Sequence, residues 1–197
     1  WQRAQEVSFI AAYDKVNTQP KYPTTVKAVW TADGISFGFR MAEPMPALLE
    51  AKIKGRDDSM LWWNDNVELL FDVTGKNEGE FYHLIVSALN TVADAKGKDF
   101  SWNNDKVKTA VFVGKDFWSL EVFLPYEVFS EGVKPAGGNA SQVKWYGNFT
   151  RHRVCDNGLQ PPAQHSDGSV REYTRMNTTG AAQSNNLSDF APIKFVE

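Results

Sequence analysis

The sequence predicts an all-β protein, a single antiparallel β-sandwich of jelly-roll-like topology, immunoglobulin-size with long loops. Three observations over its 197 residues support this fold class. Short segments alternate apolar and polar residues with a period of two. Clusters of Gly, Asp, Asn and Pro separate these segments. No segment has convincing helical periodicity over three turns, and this combination is typical of two packed sheets.

Ten segments have the composition expected of strands: residues 7–13, 24–31, 34–42, 66–72, 81–89, 106–113, 117–124, 143–151, 169–176 and 190–196. The clearest turn joins the second and third segments, because Asp33-Gly34 supplies the positive φ of a tight hairpin. Gly114 begins the turn between the sixth and seventh, and Pro125 ends the strand that follows. Short helical turns are expected only at residues 45–54 and 126–129.

Polar segments rich in Gly, Asn and Asp predict the longer connections. Residues 74–79 are expected to form a turn, and residues 94–105 a loop. A longer exposed loop is predicted over residues 153–168, which contain Pro161 and Pro162. Connections of this length are often functional or mobile.

Charge and composition exclude several kinds of partner. The net charge is −3 and no basic run is present, so nucleic acid and anionic membrane surfaces are not expected to bind. The single Cys155 excludes an internal disulfide. The longest apolar run falls short of the 18 or so residues of a membrane span. Because the chain opens on Trp1 without a signal-like segment, we expect residues 1–197 to be one domain excised from a longer protein.

Residues 61–72 combine two adjacent tryptophans with an alternating strand. One predicted face carries Val67, Leu69 and Phe71, and the other carries Asn66, Glu68, Leu70 and Asp72. An indole ring beside a carboxylate suits a saccharide, because a sugar ring offers C–H patches for stacking and hydroxyls for charged acceptors. The alternative is that both tryptophans are buried and the acids are solvated.

This segment and four others, taken in order, resemble the family 9 carbohydrate-binding module. The matching pieces are residues 62–72, 82–86, 117–125, 145–151 and 189–195. The resemblance covers most of the chain and implies a non-catalytic β-sandwich that binds saccharides, often attached to a glycan-degrading enzyme. It also implies secretion, or a cell-surface or periplasmic location.

The resemblance assigns roles to particular positions. Trp62 corresponds to the tryptophan that stacks on the sugar, and Glu68 to the acid that accepts its hydroxyls. His83, Ile85 and Ser87 match the next strand's contacts, although the sugar-binding pattern has a cation where Ile85 stands. No tryptophan follows Trp145 to supply a second stacking ring, so Trp102, Tyr173 or Trp63 is a candidate substitute.

The predicted carbohydrate-binding set is Trp62, Trp63, Asp65, Glu68, His83, Ser87, Trp102 and Arg151. Arg151 has a second interpretation, as the ion-pair partner of an inward-facing acid. No cofactor is certain. Calcium is common in the family, and the acids Asp57, Asp58 and Asp94 offer the oxygen ligands that it prefers.

Three alternative functions remain open at this level. Glu68, His83 and Glu121 on neighbouring strands would suit acid–base cleavage of a glycoside. Relatives of the sandwich bind a b-type haem for electron transfer, and Met41, Met45, Met60 and His83 are available axial ligands. The third alternative is a purely structural sandwich whose binding site has decayed.

Overall fold

The structure is a computed structural model that describes residues 1–12, 19–130, 132, 134–135, 139–154, 171–177 and 186–196. Tyr13, Cys155, Ser184 and most of the predicted loop 153–168 lie outside these ranges. The described residues contain twelve strands: β1 Glu6–Ser8, β2 Ile10–Ala11, β3 Thr24–Trp30, β4 Gly34–Ala42, β5 Asn66–Asp72, β6 Tyr82–Ser87, β7 Val92–Lys96, β8 Lys108–Val113, β9 Phe117–Pro125, β10 Trp145–Val154, β11 Arg171–Arg175 and β12 Ala191–Ile193.

The strands form two antiparallel sheets, which confirms the predicted sandwich. The first sheet has the order β1-β3-β4-β9-β8, and the second has the order β2-β11-β10-β5-β6-β7 with β12 paired to β10. The hairpin predicted at Asp33-Gly34 joins β3 to β4, with Trp30 opposite Ile35. Every pairing between named strands in the described residues is antiparallel.

The core lies between the two sheets and is rich in phenylalanine. Phe37 of the first sheet meets Phe71 and Phe149 of the second at ring distances of 5.5 and 5.0 Å. The large side chains of Trp118 and Trp145 are also buried there. The predicted alternation of apolar and polar residues therefore builds the core. One face of each strand supplies the apolar area whose removal from water drives folding.

Two predictions of secondary structure need correction. Residues 7–13 do not form one strand, because β1 pairs in the first sheet and β2 in the second, with Phe9 buried in the core between them. Such a sheet change closes the sandwich at one corner. The loop predicted over residues 94–105 overlaps β7, whose small alanines pair with β6 at Ile85 and His83. Tertiary pairing overrides their weak strand propensity.

The helices of the described residues are single 3-10 turns at Pro46–Leu48, Leu61–Trp63, Tyr126–Val128, Ala140–Gln142 and Leu187–Asp189. Helical turns were expected at residues 45–54 and 126–129, and one short turn lies in each. None of the described helices has the length and apolar character needed to span a membrane.

Candidate functional site

Glu68 and His83 meet on the outer face of the second sheet, the face turned away from the core. Glu68 lies opposite Ile85 in the strand register, and His83 lies two pairs further along, opposite Leu70. This diagonal arrangement brings His83 Nε2 to 2.9 Å from Glu68 Oε2. Both side chains are largely buried, at 13% and 8% exposed for His83 and Glu68 respectively. A carboxylate joined to an imidazole offers both acceptor and donor atoms to a hydroxyl-rich ligand.

Four aromatic rings form a row beside this pair. The rings of Trp62 and Trp63 stack at 4.3 Å, and Trp62 lies nearly parallel to His152 at 6.2 Å. His152 in turn stacks on Tyr173, its register partner in β11, at 4.0 Å. Trp62, Trp63 and Tyr173 are partly exposed, whereas His152 is buried.

The aromatic row and the carboxylate occupy neighbouring positions on one sheet face. His152 is opposite Asn66, and Asn66 lies two residues along β5 from Glu68. Two residues of a strand span about 6.6 Å. Of the three substitutes considered for the second tryptophan, the structure brings Trp63 and Tyr173 to this row. Sequence reasoning missed His152, because its place depends on how β10 and β11 pair, and no local pattern signals that pairing.

The polar residues after the tryptophans hold the backbone that carries them. The Asn64 side chain makes two hydrogen bonds with the backbone of Ile53, at 3.1 and 2.8 Å. Asn66 Nδ2 donates to the Trp62 carbonyl at 3.0 Å, and His152 Nδ1 bonds the same carbonyl. These bonds fix the Leu61–Trp63 turn against β5 and β10, so the position of both indoles is set by buried amides.

Asp65, a predicted ligand-binding residue, also binds backbone. Its Oδ2 accepts from the Glu50 N–H at 2.7 Å and its Oδ1 from the Val154 N–H at 3.0 Å. Burial raises the pKa of this carboxyl to about 7, against the lowering effects of the two N–H donors and of Arg151. Asp65 therefore clamps three segments together around the tryptophan pair.

The neighbouring positions of β6 have structural partners as well. Ser87 is fully buried, and its hydroxyl accepts from the N–H groups of Leu89 and Thr91 at 3.3 and 3.0 Å, closing the turn into β7. Ile85 packs with Leu61, and Trp62 lies against this cluster. Ile85, which stands where the sugar-binding pattern has a cation, thus belongs to the apolar cluster on which Trp62 packs.

Two predicted site residues lie away from Glu68. Trp102 packs edge-on against Tyr82 at 5.3 Å, beside the core. Arg151 points to the inner face of β10, where it is 1% exposed and donates to the Ala42 carbonyl at 2.9 Å. Its guanidinium also lies 3.4 Å from Glu43, so the structure fits the ion-pair interpretation of Arg151.

Glu121 is separated from Glu68, and Met41 is separated from His83. Glu121 lies on β9 of the first sheet, where it accepts from the indole N–H of Trp1 at 2.9 Å, so it does not face Glu68. Met41 is buried in the core, while His83 is on the outer face of the opposite sheet. Met41 and His83 therefore lie on opposite sides of the second sheet and cannot form one axial pair.

The acids considered for calcium have other partners. Arg56 bonds Asp94 at 2.7 Å and Asp57 at 3.2 Å, and Asp58 accepts from the Met60 N–H at 2.8 Å. Over the described part of the chain, no three acidic, histidine or cysteine side chains converge as a metal site.

Solved structures with the same fold are found, although their sequences are distant. A candidate carbohydrate-binding protein from Bacteroides uniformis ATCC 8492 aligns with a TM-score of 0.70 and 14% identity, covering 99% of this chain and 88% of that one. A family 9 carbohydrate-binding module from Caldicellulosiruptor kristjanssonii in complex with cellotriose aligns at 0.66 and 15% identity, over 98% of this chain and 83% of that one.

The glucose complex of a family 9 module from the same organism gives a TM-score of 0.65 at 15% identity, over 98% of this chain and 85% of that one. No family model matches the sequence, and no curated protein matches it. These alignments cover nearly the whole chain at only 14–15% identity, so the similarity is one of fold and not of sequence. The two antiparallel sheets described here therefore have the fold of family 9 carbohydrate-binding modules.

Proposed function

We propose that this protein binds a saccharide without cleaving it, on the outer face of the second sheet. The proposal rests on one observation: the row of aromatic rings lies beside the Glu68–His83 pair. Its His152 is opposite Asn66, the next residue on the same face of β5 as Glu68. The partly exposed rings of Trp62, Trp63 and Tyr173 offer surfaces for the C–H faces of a sugar. Glu68 and His83 supply a charged acceptor and an imidazole for its hydroxyls.

The structural neighbours narrow the proposed ligand class. The Caldicellulosiruptor modules were solved with cellotriose and with glucose, and they share this chain's fold. We therefore take glucose-based saccharides as the first ligands to test. Asp65 and Ser87 contribute in this proposal by holding the site's backbone, and Trp102 and Arg151 by supporting the sandwich behind it.

The proposed setting is attachment to a glycan-active catalytic domain outside the cell. An aromatic contact contributes about 0.5–1.5 kcal/mol beyond area burial, so a short row of rings gives weak binding on its own. Weak binding becomes effective when a linker keeps the module near an enzyme that acts on the same polymer. In this setting the module directs the enzyme to its substrate.

Replacing Trp62 with alanine is expected to weaken cellotriose binding about tenfold or more, since both the stacking surface and its area burial are lost. Isothermal titration measures the affinity, and circular dichroism checks that the sheets remain. Because Trp62 also packs on Leu61 and Ile85, Trp62→Phe is the companion variant and should retain intermediate affinity. Phe112→Ala, at an exposed ring of the first sheet, is the control. Unchanged affinity in Trp62→Ala would remove the row from the site.

Glu68→Gln should also weaken saccharide binding, because the variant keeps the side-chain shape and loses a charge-assisted acceptor worth about twice a neutral one. The matched control is Glu127→Gln, which alters an exposed acid in the 3-10 turn after β9, paired with Lys106. A glycan panel run with and without chelator measures ligand class and ion dependence together. Equal binding by Glu68→Gln and wild type across the panel would contradict a role for this carboxylate.

A further inference from the structure

Phe100 lies on the outer face of the second sheet, at the edge that β7 forms. Its ring is 6.2 Å from the His83 ring, at an interplanar angle of 58°. The same ring packs against the buried cluster that contains Ile85, and Trp62 also packs against this cluster. Phe100 is partly exposed. Its ring therefore contacts both the sheet and the solvent beside the Glu68–His83 pair.

The turn after β7 carries Phe100 back over the sheet. Lys96 and Asp99 form an isolated antiparallel bridge, with N–H···O distances of 3.3 and 3.1 Å. Gly97, which follows Lys96, has a φ of 63°, a left-handed conformation that glycine adopts without steric cost. The Gly97 N–H donates to the Phe81 carbonyl at 2.7 Å. These bonds hold the turn against the start of β6, so the position from which Phe100 leaves the turn is fixed.

Two alanines of β7 provide room for the Phe100 ring. Ala93 is opposite Ile85 and Ala95 is opposite His83, so both alanines point to the outer face. Both are fully buried, and Phe100 packs against the cluster that includes Ala93. Because an alanine side chain is a single methyl group, a ring can lie close to the sheet over this edge. The ring of Phe100 thus covers the β7 end of the face that carries Glu68.

With Phe100 included, the aromatic side chains of this face extend over five neighbouring strands. From one end to the other they are Tyr173 on β11, His152 on β10, Trp62 before β5 and Phe100 over β6 and β7. Four inter-strand spacings separate five strands, a distance of about 19 Å. Stacked rings lie about 4.5–7 Å apart, centre to centre. One sugar ring therefore cannot contact both ends of this surface.

We propose, on the basis of the saccharide binding proposed above, that Phe100 contacts the ligand and that the site takes several sugar units of one chain. One unit stacks at Trp62, with its hydroxyls at Glu68 and His83. The next unit along the chain crosses toward β7 and contacts the exposed part of the Phe100 ring. Phe100 thereby sets a preference for chain length, because it adds affinity for an oligosaccharide and none for a single sugar.

The test compares cellotriose with glucose in the whole protein, as wild type and as Phe100→Leu. Leucine keeps an apolar side chain over Ala93 and removes the ring face. Cellotriose affinity should therefore fall about two- to tenfold, while glucose affinity stays unchanged. Titration calorimetry measures cellotriose binding, and ligand-observed NMR measures the weaker glucose binding. Phe100→Tyr keeps the ring and should bind both sugars like wild type. Phe112→Leu, the same change at an exposed ring of the first sheet, is the matched control.

Three results would overturn the proposal for Phe100. The first, which needs no variant, is wild type binding cellotriose no more tightly than glucose. The second is unchanged cellotriose affinity in Phe100→Leu. The third is an equal loss of affinity for both sugars in Phe100→Leu, which would show that the ring acts only by packing under Trp62. Failure of saccharide binding itself is distinguishable, because wild type would then bind neither sugar, and a role for Phe100 would be excluded with it.

Discussion

Glu43→Gln is expected to destabilise the protein by about 3–5 kcal/mol, because it leaves buried guanidinium groups without their counter-charge. Glu43 is 3% exposed and accepts from Arg153 Nε at 2.7 Å and Nη2 at 2.8 Å. Arg151 lies beside the same carboxylate, and burial lowers the pKa of Arg151 to about 10 despite the acid. Chemical unfolding at neutral pH measures the change in unfolding free energy.

The position of this cluster explains the size of the effect. Glu43 follows β4 of the first sheet, while Arg151 and Arg153 belong to β10 of the second, so the ion pairs join the sheets. Tyr22 covers the Arg153 guanidinium at 3.9 Å from the ring centre. Glu127→Gln, at an exposed pair with Lys106, should cost at most about 1 kcal/mol. Equal losses in the two variants would show that the buried cluster contributes no more than a surface pair.

The second large effect is a pH dependence that originates at Asp65. Its pKa is raised by burial to about 7 in the folded protein, against an ordinary value of 3.8. Between these values the folded state holds a proton that the unfolded state has released. The contribution of Asp65 to the free energy of unfolding is therefore greatest below about pH 4. It falls as pH rises and levels off above about pH 7. At about 1.4 kcal/mol per pKa unit, the full change is at most about 4 kcal/mol.

Urea unfolding of wild type and Asp65→Asn at several pH values isolates this contribution. The asparagine mimics the protonated acid, so the variant should lose less stability than wild type between about pH 5 and pH 8. Glu43 and Arg151 also act on the Asp65 carboxyl and stay present in both proteins. Asp105→Asn, at an exposed acid, is the control. Parallel pH profiles for wild type and Asp65→Asn would show that Asp65 does not titrate in this range.

Much of the fold follows from local pattern. The period-two alternation in residues 66–72 correctly separates the core face of Val67 from the outer face of Glu68, and Asp33-Gly34 correctly predicts a hairpin. Local pattern gives a wrong prediction where contacts with distant segments determine the structure. Residues 7–13 alternate like one strand, yet they divide between two sheets because burying Phe9 turns the chain across the sandwich edge.

The sequence by itself determined the fold class, the outward position of Glu68 and the aromatic character of the segment before β5, because alternation and turn chemistry act over a few residues. Only the tertiary structure decided which side chains share the site. Strand pairing, a contact between distant segments, set His152 beside Tyr173 and placed Glu121 on the other sheet. It also turned Arg151 inward to Glu43, because an inward cation at that point of β10 is stable only where the opposite sheet supplies an acid.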